Sequence, residues 1–164
     1  MEILDVVDEQ DQVIGRATRD ECHVDPTKIH RTSHFTLFDR KSGKILLTQR
    51  AFSKKSDPGK MCFLGEHVHA GETYEEAVQR GVVEELGFTP NIITPKAKNL
   101  FHFSTQTEFG QFFLVDWEGQ EIKFASEELE TVLWLSPEEI LRQNLDYSDT
   151  AKYWIETIFR NKLP

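Results

Sequence analysis

Residues 65–88 read GEHVHAGETYEEAVQRGVVEELGF, and this stretch predicts a strand, a loop and a helix. We expect the helix over residues 73–86. Thr73 and Glu76 have the spacing of a capping box, in which each side chain accepts a hydrogen bond from the other residue's backbone N–H. Gly87 follows as a C-terminal stop, because glycine readily adopts the left-handed conformation that ends many helices. The stretch therefore places a well-defined helix directly after a loop.

The same helix carries two adjacent acidic residues near its C-terminal end. At about 100° per residue, Glu85 projects from the middle of the apolar face that includes Val78 and Val82. Glu84 lies on the rim of that face. A carboxylate on a buried face is costly unless a cation or several hydrogen-bond donors meet it. We therefore interpret Glu84 and Glu85 as candidate ligands of a divalent metal.

Composition limits the class of protein. The chain has 164 residues, of which 38% are hydrophobic and 29% charged, and this suits a single globular domain over residues 1–164. The net charge of −9 disfavours a nucleic-acid surface, which needs a basic face, but it allows a small anionic ligand. No stretch has the apolar length of a membrane helix, and the acidic N-terminus is unlike a signal peptide. Cys22 and Cys62 suggest no disulfide framework, so we expect a cytoplasmic protein.

Alternating apolar and polar residues, together with turn signals, outline the other elements. Gly43 lies between two alternating runs and predicts a β-hairpin. Ser136, Pro137 and Glu139 predict the start of a short helix. The expected strands are 3–7, 13–17, 34–39, 45–50, 61–64, 100–104, 111–117 and 131–135, and the expected later helices are 136–143 and 148–161. Together these elements predict an α/β (α+β) fold with a mixed β-sheet sandwiched by helices.

The acidic stretch resembles the Nudix box, the signature of hydrolases that act on nucleoside diphosphates linked to another moiety. Glu72, Arg80, Glu84, Glu85 and Gly87 stand at the spacing of that motif. The resemblance implies a Nudix-type fold and a Mg²⁺ or Mn²⁺ ion held by Glu84 and Glu85. It also implies that Arg80 braces the carboxylates and the neighbouring loop.

Two positions depart from the box. Glu66 stands where the family has its opening glycine, and Gly81 stands where it has the glutamate that follows the box arginine. That glutamate usually shares a metal or acts as a base, so one carboxylate of the usual cluster is missing. Glu66 could replace the missing acid, or it could block the site. We take Glu66 and Glu84 as the candidate bases and Arg80 as the third member of the catalytic set.

A wider resemblance, over nearly the full length, is to the isopentenyl diphosphate isomerase branch of the family. His23 and His30 are spaced like that branch's two early metal histidines, and His67 falls on its third. Glu108 falls on one of its late glutamates. The resemblance implies a second metal at the histidines, and three imidazoles with a carboxylate suit Zn, Mn or Fe better than Mg.

Basic residues are notable in so acidic a chain. Arg19, Arg50 and Lys54 match positions that resemble the branch's diphosphate contacts, and such side chains complement diphosphate oxygens through charge-assisted hydrogen bonds. A small-molecule diphosphate is therefore the expected partner. Glu127 and Glu128 precede a strand at which many Nudix proteins carry a further metal-associated acid.

Three functions remain open. The first, which we expect, is metal-dependent hydrolysis of an organic or nucleoside diphosphate, in which an activated water attacks phosphorus. The second is isopentenyl diphosphate isomerisation, which needs an acid–base pair across the substrate and would recruit Glu66 or Cys62 as the acid. However, Gly65 stands where that branch has its cysteine, and its second late glutamate is replaced near Gly110 or Gln111. The third is a module that binds a diphosphate without turnover.

Overall fold

The computed structural model of the protein describes residues 1–124 and 129–160. Its strands are β1 (Ile3–Val7), β2 (Val13–Thr18), β3 (His30–Asp39), β4 (Lys44–Arg50), β5 (Met61–Cys62), β6 (Leu64–His67), β7 (Ile93–His102), β8 (Thr107–Trp117) and β9 (Leu129–Leu135). Its helices are α1 (Arg19–Cys22), α2 (Tyr74–Gly81), α3 (Pro137–Arg142) and α4 (Asp149–Trp154). Wider π-helical turns continue α2 over Val82–Leu86 and α4 over Ile155–Arg160. Glu127, Glu128 and the expected helix end at Asn161 lie outside the described residues.

A mixed sheet forms the centre of the fold. Its strands run in the order β5–β4–β3–β8–β7, while β6 also pairs with β3 and β9 also pairs with β4. β3 and β8 are parallel, whereas β3 is antiparallel to both β4 and β6. β1 and β2 form a separate antiparallel hairpin. The expected mixed sheet is therefore confirmed.

Successive strand residues point to opposite sides of the sheet, so the strands present apolar side chains on both faces. Helices cover both faces. On one side, Phe35 of β3 packs with Val78 and Val82 in a core beneath α2. On the other side, Phe112 of β8 packs with Trp154 in a core beneath α3 and α4. No helix in the described ranges is long and apolar enough to span a bilayer.

The helix over the acidic stretch begins as expected and ends differently. The capping box is present, since the Thr73 side chain accepts from the backbone of Glu76 and the reciprocal bond also forms. Gly87 ends the element with a φ of 77°. However, the backbone N–H of Gly87 donates to Val82 O at 3.1 Å, which closes a wider i→i+5 turn. A uniform rotation of 100° per residue therefore does not describe the last turn of this helix. The side chain of Glu84, which was expected on the rim of the apolar face, is 61% exposed.

The boundaries of several strands were predicted wrongly, and four of these errors bear on the site, including the start of β8 at Thr107 rather than residue 111. Residues 61–64 form no single strand. Instead, β5 and β6 are separate, and β6 carries residues 65–67 on a strand rather than in a loop. β3 begins at His30 because its first residues already pair with β6 and β8. β7 begins at Ile93, well before the expected residue 100, because it pairs with β8 along its whole length.

An ion cluster ties the β1–β2 turn to the rest of the fold. Asp11 has a φ of 60° and accepts from Arg31 Nε at 2.6 Å and from the Tyr74 hydroxyl at 3.1 Å. Lys98 Nζ donates to the same carboxylate. Burial raises the pKa of Asp11, but the hydrogen bonds from Lys98 and Arg31 more than offset this and hold that pKa below its usual value. The cluster thus fixes the hairpin that leads into α1.

Candidate functional site

Three histidines from separate elements converge, and we call them the histidine trio: His23, His30 and His67. His23 is the C-cap of α1, a single turn that begins at a capping box on Thr18. His30 opens β3 and His67 ends β6. One ligand atom from each ring lies within 4.8 Å of the others, and the Nε2 atoms of His23 and His67 are 2.9 Å apart. The structure therefore brings the three expected histidines together.

The trio is arranged as a set of neutral nitrogen ligands. His30 is fully buried, and its ring nitrogens make no hydrogen bond of good geometry among the described residues, although the Lys28 backbone lies close enough to act on its pKa. Burial, and then the charges of His30, Arg19 and His23, lower the pKa of His67 to about 3. Burial is also the main cause that lowers the pKa values of His23 and His30. At neutral pH the rings are therefore uncharged, as a metal ligand must be.

Glu108 supplies a carboxylate beside the trio. It lies opposite His30 in the parallel β3–β8 pairing, and its Oε2 is 3.7 Å from His30 Nε2. Its other oxygen is 3.7 Å from His34 Nε2. Burial raises the pKa of Glu108, but the bond from His34 and the nearby imidazoles of His30 and His67 offset it, so that the pKa lies below its usual value. A buried anion thus faces the orphaned nitrogens of His30.

The donor set fits a divalent metal. An unpaired polar group in a protein interior is costly, and His30 has two of them. A hydrogen bond between His23 and His67 explains their close approach but leaves His30 without a partner. Three imidazoles with a carboxylate suit Zn, Mn or Fe. The trio and Glu108 are therefore the residues that could hold such an ion.

Glu2 was missed by sequence reasoning. Its Oε1 lies 3.7 Å from His67 Nδ1 and 3.3 Å from His69 Nε2. Because Nδ1 faces Glu2, the Nε2 of His67 is the nitrogen that faces His23. Arg19, an expected diphosphate contact, lies 3.7 Å from Glu2 on this same side of the trio. No local pattern marks Glu2, since only the β1–β2 hairpin brings the N-terminus here.

Arg80 is the centre of a second group of charged residues. Its Nη1 donates to Glu66 Oε2 at 2.8 Å and lies 3.6 Å from Glu84 Oε2. Its Nε donates to Glu72 Oε1 at 3.0 Å, and its Nη2 donates to the backbone oxygen of His67 at 2.7 Å. Arg80 therefore braces both the carboxylates and the strand that carries His67.

The two groups lie on opposite faces of β6. Glu66 points towards α2 and Arg80, whereas its neighbour His67 points towards His23, as strand alternation requires. In the part of the chain that the structure describes, the trio alone brings three or more metal-ligating side chains so close. The expected ligands Glu84 and Glu85 are thus not gathered with the histidines.

A small cleft is lined by none of the trio but by His34, which lies 3.7 Å from Glu108, and by Gly65 of the strand that carries His67. Its volume is about 180 Å³, and its lining residues are His34, Arg50, Ser56, Asp57, Cys62, Phe63, Gly65, Ser148, Thr150, Ala151 and Trp154. Arg50 donates to Ser56 at 3.0 Å and 3.1 Å, which orients its guanidinium. Glu85 lies close enough to raise the pKa of Cys62, although burial is the larger cause. Lys54 lies in the adjoining loop but outside the lining.

Sequence comparison agrees with the fold. Residues 28–157 match the profile of the NUDIX domain. The chain belongs to the Nudix family. Its expected resemblance to that family is therefore confirmed.

The Nudix relatives fall into two groups. An uncharacterized Nudix hydrolase of Yersinia pestis is 32% identical over 141 residues, which cover 85% of this chain and 76% of the relative. An isopentenyl-diphosphate Delta-isomerase of Streptomyces coelicolor is 28% identical over 165 residues, which cover 95% of this chain and 81% of the relative. Hydrolase-type and isomerase-type Nudix proteins are thus both similar to this chain.

Solved structures confirm the Nudix fold. A Deinococcus radiodurans protein aligns with a TM-score of 0.73 at 25% identity and covers 95% of this chain and 99% of its own. The MutT protein of Methanosarcina mazei aligns with a TM-score of 0.67 at 23% identity and covers 85% of this chain and 98% of its own. The second likeness shows the fold alone.

Gly65, and either Gly110 or Gln111, stand at the positions at which the isomerase branch of the Nudix family is expected to carry its proton-transfer groups. Gly65 lines the cleft, and a Cβ there would meet His34 Nδ1 at 3.4 Å, so a side chain would fit but is absent. At Gly110, a Cβ would lie 2.7 Å from the Phe101 ring, which leaves no space for a side chain. Of these positions only Gly65 lines the cleft, whose lining also includes the Cys62 thiol.

Proposed function

We propose that this Nudix protein is a metal-dependent hydrolase of a compact organic diphosphate. The observation that carries the proposal is the convergence of the histidine trio and Glu108, with two orphaned nitrogens on His30, beside a cleft that contains Arg50. His34 joins the two regions, because it lies 3.7 Å from Glu108 and also lines the cleft. A set of metal ligands close to the Arg50 guanidinium supports a reaction at a phosphate group, rather than a purely structural role for these residues.

The chain's own residues account for substrate binding and proton transfer. Arg50 donates charge-assisted hydrogen bonds to diphosphate oxygens, and its bonds to Ser56 preset its direction. Glu84 and Glu85 would hold Mg²⁺ or Mn²⁺ and the histidine trio a second ion, and these ions would supply charge neutralisation and water activation. Arg80 holds Glu66 and Glu84 on either side of one guanidinium nitrogen, on the face of β6 that looks away from the trio, and either carboxylate is the candidate base for a water held at that face.

The size of the cleft favours a compact organic group over a nucleoside. Its volume of about 180 Å³ lies below the range of about 300–1,000 Å³ that is common for clefts enclosing drug-sized ligands. Trp154 and Phe63 supply its apolar wall. A short, partly apolar group on the diphosphate matches that combination of size and lining.

Turnover tests this proposal directly. We expect phosphate or pyrophosphate release from at least one short-chain organic diphosphate with Mg²⁺ or Mn²⁺, slower release from nucleoside diphosphate derivatives, and none with chelator. Glu85→Gln should abolish release, while Glu75→Gln, an exposed change on α2, should not. Unchanged turnover in Glu85→Gln would refute the assigned chemistry. Tight metal-dependent binding of a ligand that stays intact would instead identify a non-catalytic binding module.

Isomerisation is the second candidate, because an isomerase relative covers 95% of this chain and the histidine trio is assembled. Gly65, with Gly110 or Gln111, opposes it, since none of these carries a proton-transfer group, and isomerisation would need Glu66 or Cys62 as the acid. Incubation of isopentenyl diphosphate with the protein in heavy water separates the two functions. Deuterium uptake into carbon would establish isomerisation, and phosphate release without uptake would establish hydrolysis.

A further inference from the structure

Glu66 and Gly81, the two departures from the Nudix box, touch each other. A Cβ built on Gly81 would lie 2.5 Å from Glu66 Cγ, closer than real Cβ contacts come. It would also lie 3.1 Å from two atoms of the buried Phe35 ring. The Glu66 side chain therefore fills the space in which a side chain at position 81 would begin.

The carboxylate of Glu66 is held in a defined place. Glu66 lies opposite Ser33 in the β3–β6 pairing and projects towards α2. Its side chain is 17% exposed, and its Oε2 accepts the 2.8 Å bond from Arg80 Nη1. The same nitrogen lies 3.6 Å from Glu84, so Glu66 and Glu84 flank one cation. A partly buried, charge-assisted hydrogen bond of this kind orients a carboxylate well.

We propose that the two departures are one exchange, in which Glu66 supplies from β6 the cation-binding carboxylate that α2 lacks at position 81. The inference rests on the proposed hydrolase function and names a residue of that same site. Gly81 is then required because any side chain there would displace Glu66. Glu66 is also joined through Arg80 to the backbone of His67, so it is coupled to the strand that carries the trio.

A charge-only variant separates this role from simple pairing with Arg80. Glu66→Gln keeps the side-chain volume and an oxygen that can accept from Arg80. We expect it to lower kcat by about 10²–10⁴-fold, the range for removal of a reacting carboxylate. Glu72→Gln is the matched control, because Glu72 pairs with the same guanidinium at 3.0 Å. The control should lower the melting temperature by a similar amount with a much smaller loss of kcat. Equal losses of kcat in the two variants would overturn the inference.

The reciprocal exchange gives a readout that does not depend on turnover. Mn²⁺ affinity is measured by EPR on protein already carrying one equivalent of Zn²⁺, so that the histidine trio is filled first. We expect Glu66→Gly to weaken Mn²⁺ binding by about tenfold or more. Gly81→Glu should lower the melting temperature because of the 2.5 Å overlap. The double variant Glu66→Gly/Gly81→Glu should recover most of the affinity.

The outcomes distinguish the inference from the function on which it rests. A wild-type protein that hydrolyses no diphosphate would refute the proposed hydrolase function. The Mn²⁺ measurements would still test whether Glu66 binds a cation. Unchanged Mn²⁺ affinity in Glu66→Gly would overturn the exchange, even if the wild type is an active hydrolase. A folded double variant, verified by circular dichroism, with affinity no better than Glu66→Gly would also overturn it.

Discussion

His30→Leu should be at least as stable as the wild type without metal, but less stable than the wild type once metal is bound. In the metal-free protein, His30 is fully buried and its ring nitrogens make no hydrogen bond of good geometry, and a buried group left unpaired costs about 1–3 kcal/mol. Leucine removes both groups, while a hydrophobic exchange of similar volume costs less than about 1.5 kcal/mol in packing. We therefore expect His30→Leu to be as stable as the wild type or more stable when a chelator is present.

Metal should invert that order. An ion present at about a thousand times its dissociation constant stabilises the folded state by about 4.1 kcal/mol. For a chain of this size, 1 kcal/mol corresponds to about 2–4 °C in melting temperature, so the wild type should gain about 8–16 °C. His30→Leu lacks the central nitrogen ligand and should gain little.

Thermal unfolding with EDTA, Zn²⁺ or Mn²⁺ measures both effects. His102→Ala is the control, because His102 is exposed and lies outside the trio. It should leave the metal-induced shift unchanged. Two results together would refute the reasoning: His30→Leu several kcal/mol less stable in EDTA, and a wild type whose melting temperature no ion raises. His30 would then be an ordinary core residue.

Three further predictions concern the surroundings of the site. Glu2→Ala should weaken Zn²⁺ binding by about 10–100-fold, because it removes the carboxylate behind one histidine of the trio; isothermal titration against Glu9→Ala, an exposed acid, checks this. Arg50→Ala should raise KM for the diphosphate about tenfold or more, since a hydrogen bond to a charged group contributes about 1.5–3 kcal/mol, whereas Arg142→Ala should leave KM unchanged. Asp11→Asn should cost about 1.5–3 kcal/mol by urea denaturation at pH 7, because asparagine tolerates the positive φ but loses the charge. The pKa of Asp11 is depressed in the folded state, so its contribution to the free energy of unfolding is present above its ordinary pKa and is lost as the pH falls through the folded pKa. The difference in free energy of unfolding between the wild type and Asp11→Asn should therefore narrow below about pH 4. A pH-independent difference would contradict that assignment.

Local sequence determined the elements whose signals are local. The capping boxes at Thr73 and Ser136 and the β-hairpin around Gly43 were all predicted correctly, because each depends on residues a few positions apart. The mixed sheet between helices followed from the order of the elements. Boundaries failed where pairing decided them: β6 exists because β3 extends back to His30, and no pattern within residues 65–67 shows this.

The sequence by itself determined which acids and histidines this protein carries, at the spacing of its family. Only the tertiary structure decided which of them meet. Strand alternation in β6 sends Glu66 towards Arg80 and His67 towards the other histidines, so one short strand separates the carboxylates from the trio. Contact between Glu66 and Gly81, and the arrival of Glu2 beside His67, join residues distant in the chain. Such contacts depend on packing across elements, which local spacing does not encode.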